Sequence, residues 1–319
     1  MQENNIKHQS IDYSIVIPVY CNEGSIGALY KKLKSDVIEQ NLSKTYEIIF
    51  IDDGSNDASF EKLLSIKEKN PEHIRLIKLT RNFGQVAAMF AGYQYAKGKC
   101  IINISADLQD PPFLINKMLQ SFFNENYDVV ICHRKSRDES YFRKFTSEIF
   151  YTLMKKLSFP EMPTGGFDFF LMSKRVKATI LTNFEANPFL QGKVLWSGFK
   201  TKFIPYDREK RVAGVSKWTF GKKLKYLIDG IMGYSYFPLR LMSFVGITIS
   251  FLGFAYALII FCSKIFGGVS IKGWAPLMII ILILSGIQML MLGIIGEYLW
   301  RALDQVRNRP LFIIDKIYD

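Results

Sequence analysis

Two long runs in this chain carry no Asp, Glu, Lys or Arg at all. Leu241–Ser263 and Gly273–Gly296 are built from Ile, Leu, Phe, Met and small residues, and only Lys264–Lys272 separates them. About 20 mostly apolar residues suffice for a helix to cross a bilayer's hydrocarbon core. The spacing therefore predicts a transmembrane hairpin over 239–298. Lys217, Lys222, Lys223, Lys225 and Arg240 precede the first run and Arg301, Arg307 and Arg309 follow the second, whereas the connection holds only Lys264 and Lys272. By the positive-inside rule both termini face the cytoplasm from the inner (cell) membrane. The polar start, MQENNIKHQS, carries no signal-peptide pattern, so residues 1–12 are expected to be a cytoplasmic tail.

Charge sharpens this reading. The 319 residues are 49% hydrophobic yet carry 41 Lys+Arg against 29 Asp+Glu, a net +12. Such an excess calls for a polyanionic neighbour: nucleic acid, anionic lipid or a phosphorylated substrate. The basic residues crowd the membrane boundary, with nine Lys/Arg between Lys200 and Lys225 against Asp207 and Glu209. Trp218, Phe220, Tyr226, Tyr234 and Phe237 interleave with the lysines, the composition of interfacial amphipathic helices on anionic headgroups. These are expected over 216–238, and no nucleic-acid partner is expected. Cys21, Cys100, Cys132 and Cys262, with His8, His73 and His133, have neither disulfide-framework nor zinc spacing.

Residues 13–132 alternate apolar strands with helical patterns. Strands are expected at Tyr13–Pro18, Tyr46–Ile51, Ile74–Leu79, Cys100–Ser105 and Tyr127–Cys132, with helices between them. Near-continuous apolar strands separated by helices predict an α/β domain over 13–215 with a parallel sheet. Ligands bind such sheets at the strands' carboxyl ends, and there the polar residues gather. The ends read Pro18-Val19-Tyr20-Cys21-Asn22-Glu23, Asp52-Asp53-Gly54-Ser55, Thr80-Arg81-Asn82-Phe83-Gly84 and Ser105-Ala106-Asp107-Leu108-Gln109-Asp110-Pro111-Pro112. Asp-Asp-Gly-Ser is also a good turn, and Asp110-Pro111-Pro112 also reads as a helix N-cap. Carboxylates on two strand ends of one sheet are what a hard divalent cation beside a diphosphate needs. Neither GxGxxG nor GxxxxGK[ST] occurs, so neither a dinucleotide fingerprint nor a P-loop is supported.

With these motifs in their order, the chain resembles family 2 glycosyltransferases of the GT-A (Rossmann-like) fold. Within them it resembles the polyprenyl-phosphate group, which holds dolichol-phosphate mannosyltransferases and bactoprenol glucosyltransferases. The resemblance runs from Tyr13 to the C-terminus. It implies that Pro18, Tyr20, Asn22, Glu23, Ile51 and Asp53 line a nucleotide pocket. Asp107 and Gln109 match the metal and diphosphate positions, for Mg2+ or Mn2+, and Arg134 matches an arginine contacting the nucleotide sugar. Arg211 and Lys217 match a late Arg-x-x-Gly-x-Ser-Lys motif that closes over the diphosphate. Arg143 and Ser147 match a pair receiving the lipid phosphate, and Asp168, in Thr164-Gly165-Gly166-Phe167-Asp168, orients either a sugar hydroxyl or Arg143, or else caps its turn. Many relatives carry Asp where Ser105 stands, which weakens the metal assignment.

The implied reaction is inverting transfer of a hexose from a nucleotide sugar, with UDP-glucose the first expectation, to undecaprenyl phosphate. N-acetylglucosamine, galactose and mannose donors remain open, as does a catalytically silent nucleotide-sugar binder. A processive polysaccharide synthase is disfavoured: the nearest string to Gln-x-x-Arg-Trp is Gln191-Gly192-Lys193-Val194-Leu195-Trp196, which lacks the arginine and the spacing. Residues 299–319 are expected as a cytoplasmic tail, in which Arg309–Ile314 offers an edge strand for pairing with a second subunit.

Overall fold

The computed structural model describes residues 10–134, 152, 155–156, 158–163, 166–182, 185–207, 228–265 and 273–319. The chain divides into two units, 1–227 with 310–319 and 228–309.

The first unit is built on β1 (Tyr13–Val19), β2 (Tyr46–Asp52), β3 (Ile74–Leu79) and β4 (Cys100–Asn103). They run parallel, joined by α1 (Ile26–Leu33, continued as a π turn over Lys34–Ile38), α2 (Ser59–Lys69) and α3 (Gln85–Tyr95). β1 reads YSIVIPV and is buried throughout, as a strand must be when helices cover both faces of its sheet. Gly92 lets α3 lie close: a Cβ there would collide with Val16 and Ile51. After α4 (Leu114–Phe123) come β5 (Val129–Arg134), β6 (Phe169–Ser173), α5 (Lys174–Thr182), α6 (Leu190–Trp196) and β7 (Thr201–Tyr206). The last strand is β8 (Ile314–Tyr318), and the sheet order is β7-β5-β6-β4-β1-β2-β3-β8.

Two expectations change. The sheet is mixed rather than parallel, because β6 inserts antiparallel between β4 and β5, with Asn103 opposite Phe170 and Val130 opposite Leu171. Its five-residue run, FFLMS, is too short for periodicity to separate it from a helix. The C-terminal strand lies at 314–318 rather than 309–314 and pairs antiparallel with β3 of its own chain. The Thr80 N–H donates to Ile313 O at 3.1 Å, Arg75 pairs with Asp319, and Tyr318 packs on Phe60. The expected tail thus supplies an edge strand of the sheet.

The second unit holds α7 (Phe237–Ile265) and α8 (Trp274–Val306). Both are long and apolar enough to cross a membrane, over Phe237–Cys262 and Ile279–Val306, with mean hydropathies of 2.3 and 2.5. Phe244, Phe251, Phe254, Met289 and Leu290 stand exposed along them, an apolar surface of the extent that marks a membrane or protein interface. Where α8 turns polar, Arg301 pairs with Asp229 at 2.7 Å and with Glu297 at 2.8 Å.

Candidate active site

From β1 the chain builds outward through β2 and β3, then returns to the other side of β1 as β4. Such a reversal opens a crevice beyond the strands' carboxyl ends. The β1–β4 ladder stops at Val16–Asn103, with a last bond from Ile104 N–H to Val16 O at 3.2 Å. Pro18, two residues on, thus falls beyond that ladder, where its missing N–H breaks no bond to β4. Ser25, at the start of α1, donates its hydroxyl to Ala106 O at 2.7 Å and ties the loops after β1 and β4 together across the crevice.

The loop after β1 is a tight bend, with Cys21 at φ 51°. Asn22 Oδ1 accepts the Tyr20 N–H at 3.0 Å, and Glu23 accepts the Ala58 N–H before α2 at 3.0 Å. Both side chains hold backbone, and Tyr20 is half-buried beside them. Pro18 and Ile51 sit opposite each other in register and are buried. Ile51 is 0% exposed, its side chain packed under α3.

Asp53 joins two loops. Its Oδ1 accepts the Phe83 N–H at 2.7 Å and its Oδ2 the Gly84 N–H at 2.9 Å. Burial pushes this carboxyl up to about 6, overriding the opposite pull of those two bonds. Gly54 (φ +67°) is required beside it, since a Cβ would lie 2.6 Å from the Arg81 carbonyl carbon. Asp52 is fully buried, burial also raises its pKa, and its Oδ2 has no hydrogen-bond partner among the described residues.

After β4, Leu108 takes a left-handed bend at φ 59° that brings Asp107 and Gln109 together. Asp107 Oδ1 accepts from the Ser105 hydroxyl at 2.8 Å and from the Gln109 N–H at 3.2 Å. Ser105 Oγ also lies 2.7 Å from Asp110 Oδ2. A serine has one hydroxyl proton and donates to one of the two carboxylates at a time. Asp110 is 3% exposed and accepts the Tyr206 hydroxyl at the end of β7, so it anchors the sheet rather than capping α4 as expected. Among the described residues no group of three or more His, Cys, Asp and Glu could hold a metal. Asp107 with the Gln109 amide is an oxygen-only set that fits a hard cation sharing its shell with a diphosphate and water.

Because β6 runs antiparallel to β4, its first residues lie at the same sheet edge as the end of β4. This brings Asp168, directly before β6, to the edge that carries Asp107. Asn103 Nδ2 donates to Asp168 O at 2.6 Å, and Gln191 Nε2 donates to Asp168 Oδ1 at 3.3 Å. Arg134 ends β5 and lines a cavity of about 330 Å³ with His133, Lys155, Glu161 and Phe203. Arg143, Ser147, Arg211 and Lys217 lie outside the described residues. Ser25, Asn103, Gln191 and Tyr206 are structural members of the site that sequence reading missed. They are ordinary polar residues, and only long-range pairing brings them in.

Residues 14–181 match the description Glycosyl transferase family 2. The chain belongs to this family. A glycosyltransferase of Bacillus subtilis (strain 168), YkcC, is 41% identical over 309 residues, covering 97% of this chain and 94% of that protein. The bactoprenol glucosyl transferase of Shigella phage SfII is 34% identical over 304 residues, covering 95% and 97%. Of solved structures, glucosyl-3-phosphoglycerate synthase from Mycobacterium tuberculosis, in complex with Mn2+ and UDP-glucose, superposes with a TM-score of 0.51 at 14% identity, over 70% of this chain and 77% of that one. That likeness is one of fold, and the family 2 catalytic unit here is a GT-A-like mixed α/β sheet.

Proposed function

We propose that this family 2 glycosyltransferase moves a hexose, first of all glucose from UDP-glucose, onto undecaprenyl phosphate at the cytoplasmic face of the inner membrane. The observation that carries the reading is the conjunction in one chain of a strand-end carboxylate site with two helices long enough to span a bilayer. Its near-full-length similarity to a bactoprenol glucosyl transferase supports the same acceptor. β8 adds a topological argument. The chain leaves the sheet unit before residue 228 and rejoins it after 309, which supports an even number of crossings by the segment between. Two crossings with basic flanks put both ends in the cytoplasm.

The acceptor phosphate is largely anionic at neutral pH, its second pKa being about 6, and needs little help from a base. The protein's work is to hold two anions in line and to stabilise the departing diphosphate. In this reading Asp107 and Gln109 hold a divalent cation, which when bound neutralises charge on the leaving diphosphate. Asp53 faces the base, Arg134 the nucleotide sugar, and Arg211 and Lys217 the diphosphate. Arg143 and Ser147 receive the lipid phosphate, and Asp168 orients the acceptor side. A single displacement inverts the anomeric centre.

The test is turnover by the full-length protein in detergent, with undecaprenyl phosphate and separately UDP-glucose, UDP-N-acetylglucosamine, UDP-galactose and GDP-mannose. Glycolipid and nucleoside diphosphate are expected in equal amounts with Mg2+ or Mn2+ and are expected to vanish with chelator. No glycolipid with any of the four donors would overturn the proposal.

A further inference from the structure

Two buried amides converge on the short segment before β6. Gln191, the second residue of α6 and 6% exposed, donates from Nε2 to Phe167 O at 2.6 Å and to Asp168 Oδ1 at 3.3 Å. Asn103, the last residue of β4 and 1% exposed, donates from Nδ2 to Asp168 O at 2.6 Å. All three partners are acceptors, so neither amide can turn over without setting oxygen against oxygen. In this orientation Gln191 Oε1 and Asn103 Oδ1 are buried without a hydrogen-bond partner among the described residues, as is the Tyr93 hydroxyl on α3. Orphaned buried oxygens are unfavourable and uncommon. The arrangement is therefore explained by what the N–H groups hold, not by what the oxygens gain.

α6 is itself fixed in place. A Cβ on Gly192 would strike the Phe159 and Phe189 rings, and the next residue, Lys193, pairs with Glu185 at 3.6 Å. Gln191 thus approaches Asp168 from a helix that has little freedom to slide.

We propose that Gln191, backed by Asn103, is a positioning residue for Asp168, holding its carboxylate in one rotamer and in its ionised form. An N–H donated to a carboxylate favours the charged form, and a second carboxylate in its place disfavours it. The proposal rests on the assignment of Asp168 to the acceptor side of the transfer reaction.

The test uses full-length protein in detergent with undecaprenyl phosphate, Mn2+ and UDP-glucose, or the donor turned over in its place. Gln191→Met should lower kcat by about 10- to 100-fold while the donor KM stays within about threefold. Gln191→Glu should move the acid limb of the kcat/KM profile to higher pH, by about one unit or more. In an Asp168→Asn background, Gln191→Met should lower kcat no further. If Asp168→Asn is impaired but both Gln191 variants keep the wild-type kcat and pH profile, the positioning role is overturned. An equal loss from Gln191→Met in both backgrounds also overturns it, since Gln191 would then act on the fold and not through Asp168. Full activity of Asp168→Asn removes Asp168 from the reaction, and the positioning role with it. Should Gln191→Met not fold, the isosteric Gln191→Glu and its pH profile decide alone.

Discussion

At the scale of single residues, Ser105 is the departure from the family-like pattern that the geometry makes sense of. A hydroxyl between Asp107 and Asp110 links the candidate metal ligand to the carboxylate that anchors Tyr206. Ser105→Ala removes this link. It is expected to raise the half-saturating Mn2+ concentration several-fold and to lower stability by about 1–3 kcal/mol, read by metal titration and thermal unfolding. Asp107→Ala should lower turnover by about 10²–10³-fold with membrane insertion unchanged; wild-type turnover would remove Asp107 from the site. Asp53 brings a pH dependence. Its folded pKa, about 6, lies above the ordinary 3.8, so its contribution to stability is fully present below about pH 4 and is lost as pH rises through 6. Asp53→Asn cannot accept both the Phe83 and Gly84 N–H groups. Its melting temperature is expected to be lower than wild type, and the wild-type-minus-variant difference should change between pH 4 and 7. A difference that is flat with pH would contradict the assignment.

At the scale of elements, the parallel half of the sheet was legible because β1 to β4 and their helices are local, periodic and punctuated by turns. The expected and observed β3 coincide, and the other three strands differ by one or two residues at their C-terminal ends. β6 and β7 were not legible, and β8 only as an edge strand placed a few residues early, since each finds its partner across a long stretch of chain. The contact between the loops after β2 and β3 gives a test of a local rule with a long-range cause. Gly54→Ala meets both a left-handed backbone and the Arg81–Asn82 backbone, and should cost about 1–3 kcal/mol with a weakened donor KM. β8 gives another. It covers β3, with Lys78 paired to Asp315 at 3.9 Å beyond the edge bonds. Truncation after Arg309 would leave that edge bare, and bare edges template aggregation. The truncated protein is expected to melt lower and to elute partly as aggregate on size exclusion; unchanged melting would show β8 to be dispensable.

At the scale of the whole molecule, the proposed hairpin and the sheet constrain each other through covalent connection. In a Cys262→Ser background, a cysteine placed in 266–272 should react with an impermeant maleimide from outside the cell, and one after Asp319 only after lysis. Labelling of both from one side would rule out a two-crossing hairpin. The apolar spans, the basic flanks and the strand-end carboxylates are properties of neighbouring residues, set by hydropathy, charge and turn chemistry, and the sequence determined them by itself. The α/β class and the placing of Asp53 and Asp107 at strand ends followed from the same local signals. Which residues stand together was a matter for the tertiary structure. It put Asp168 at the edge carrying Asp107 because β6 runs antiparallel, brought Gln191 and Asn103 onto it from α6 and β4, and returned the chain's end to β3. Each of these depends on hydrogen bonds between residues far apart in the chain, and no spacing along the sequence encodes them.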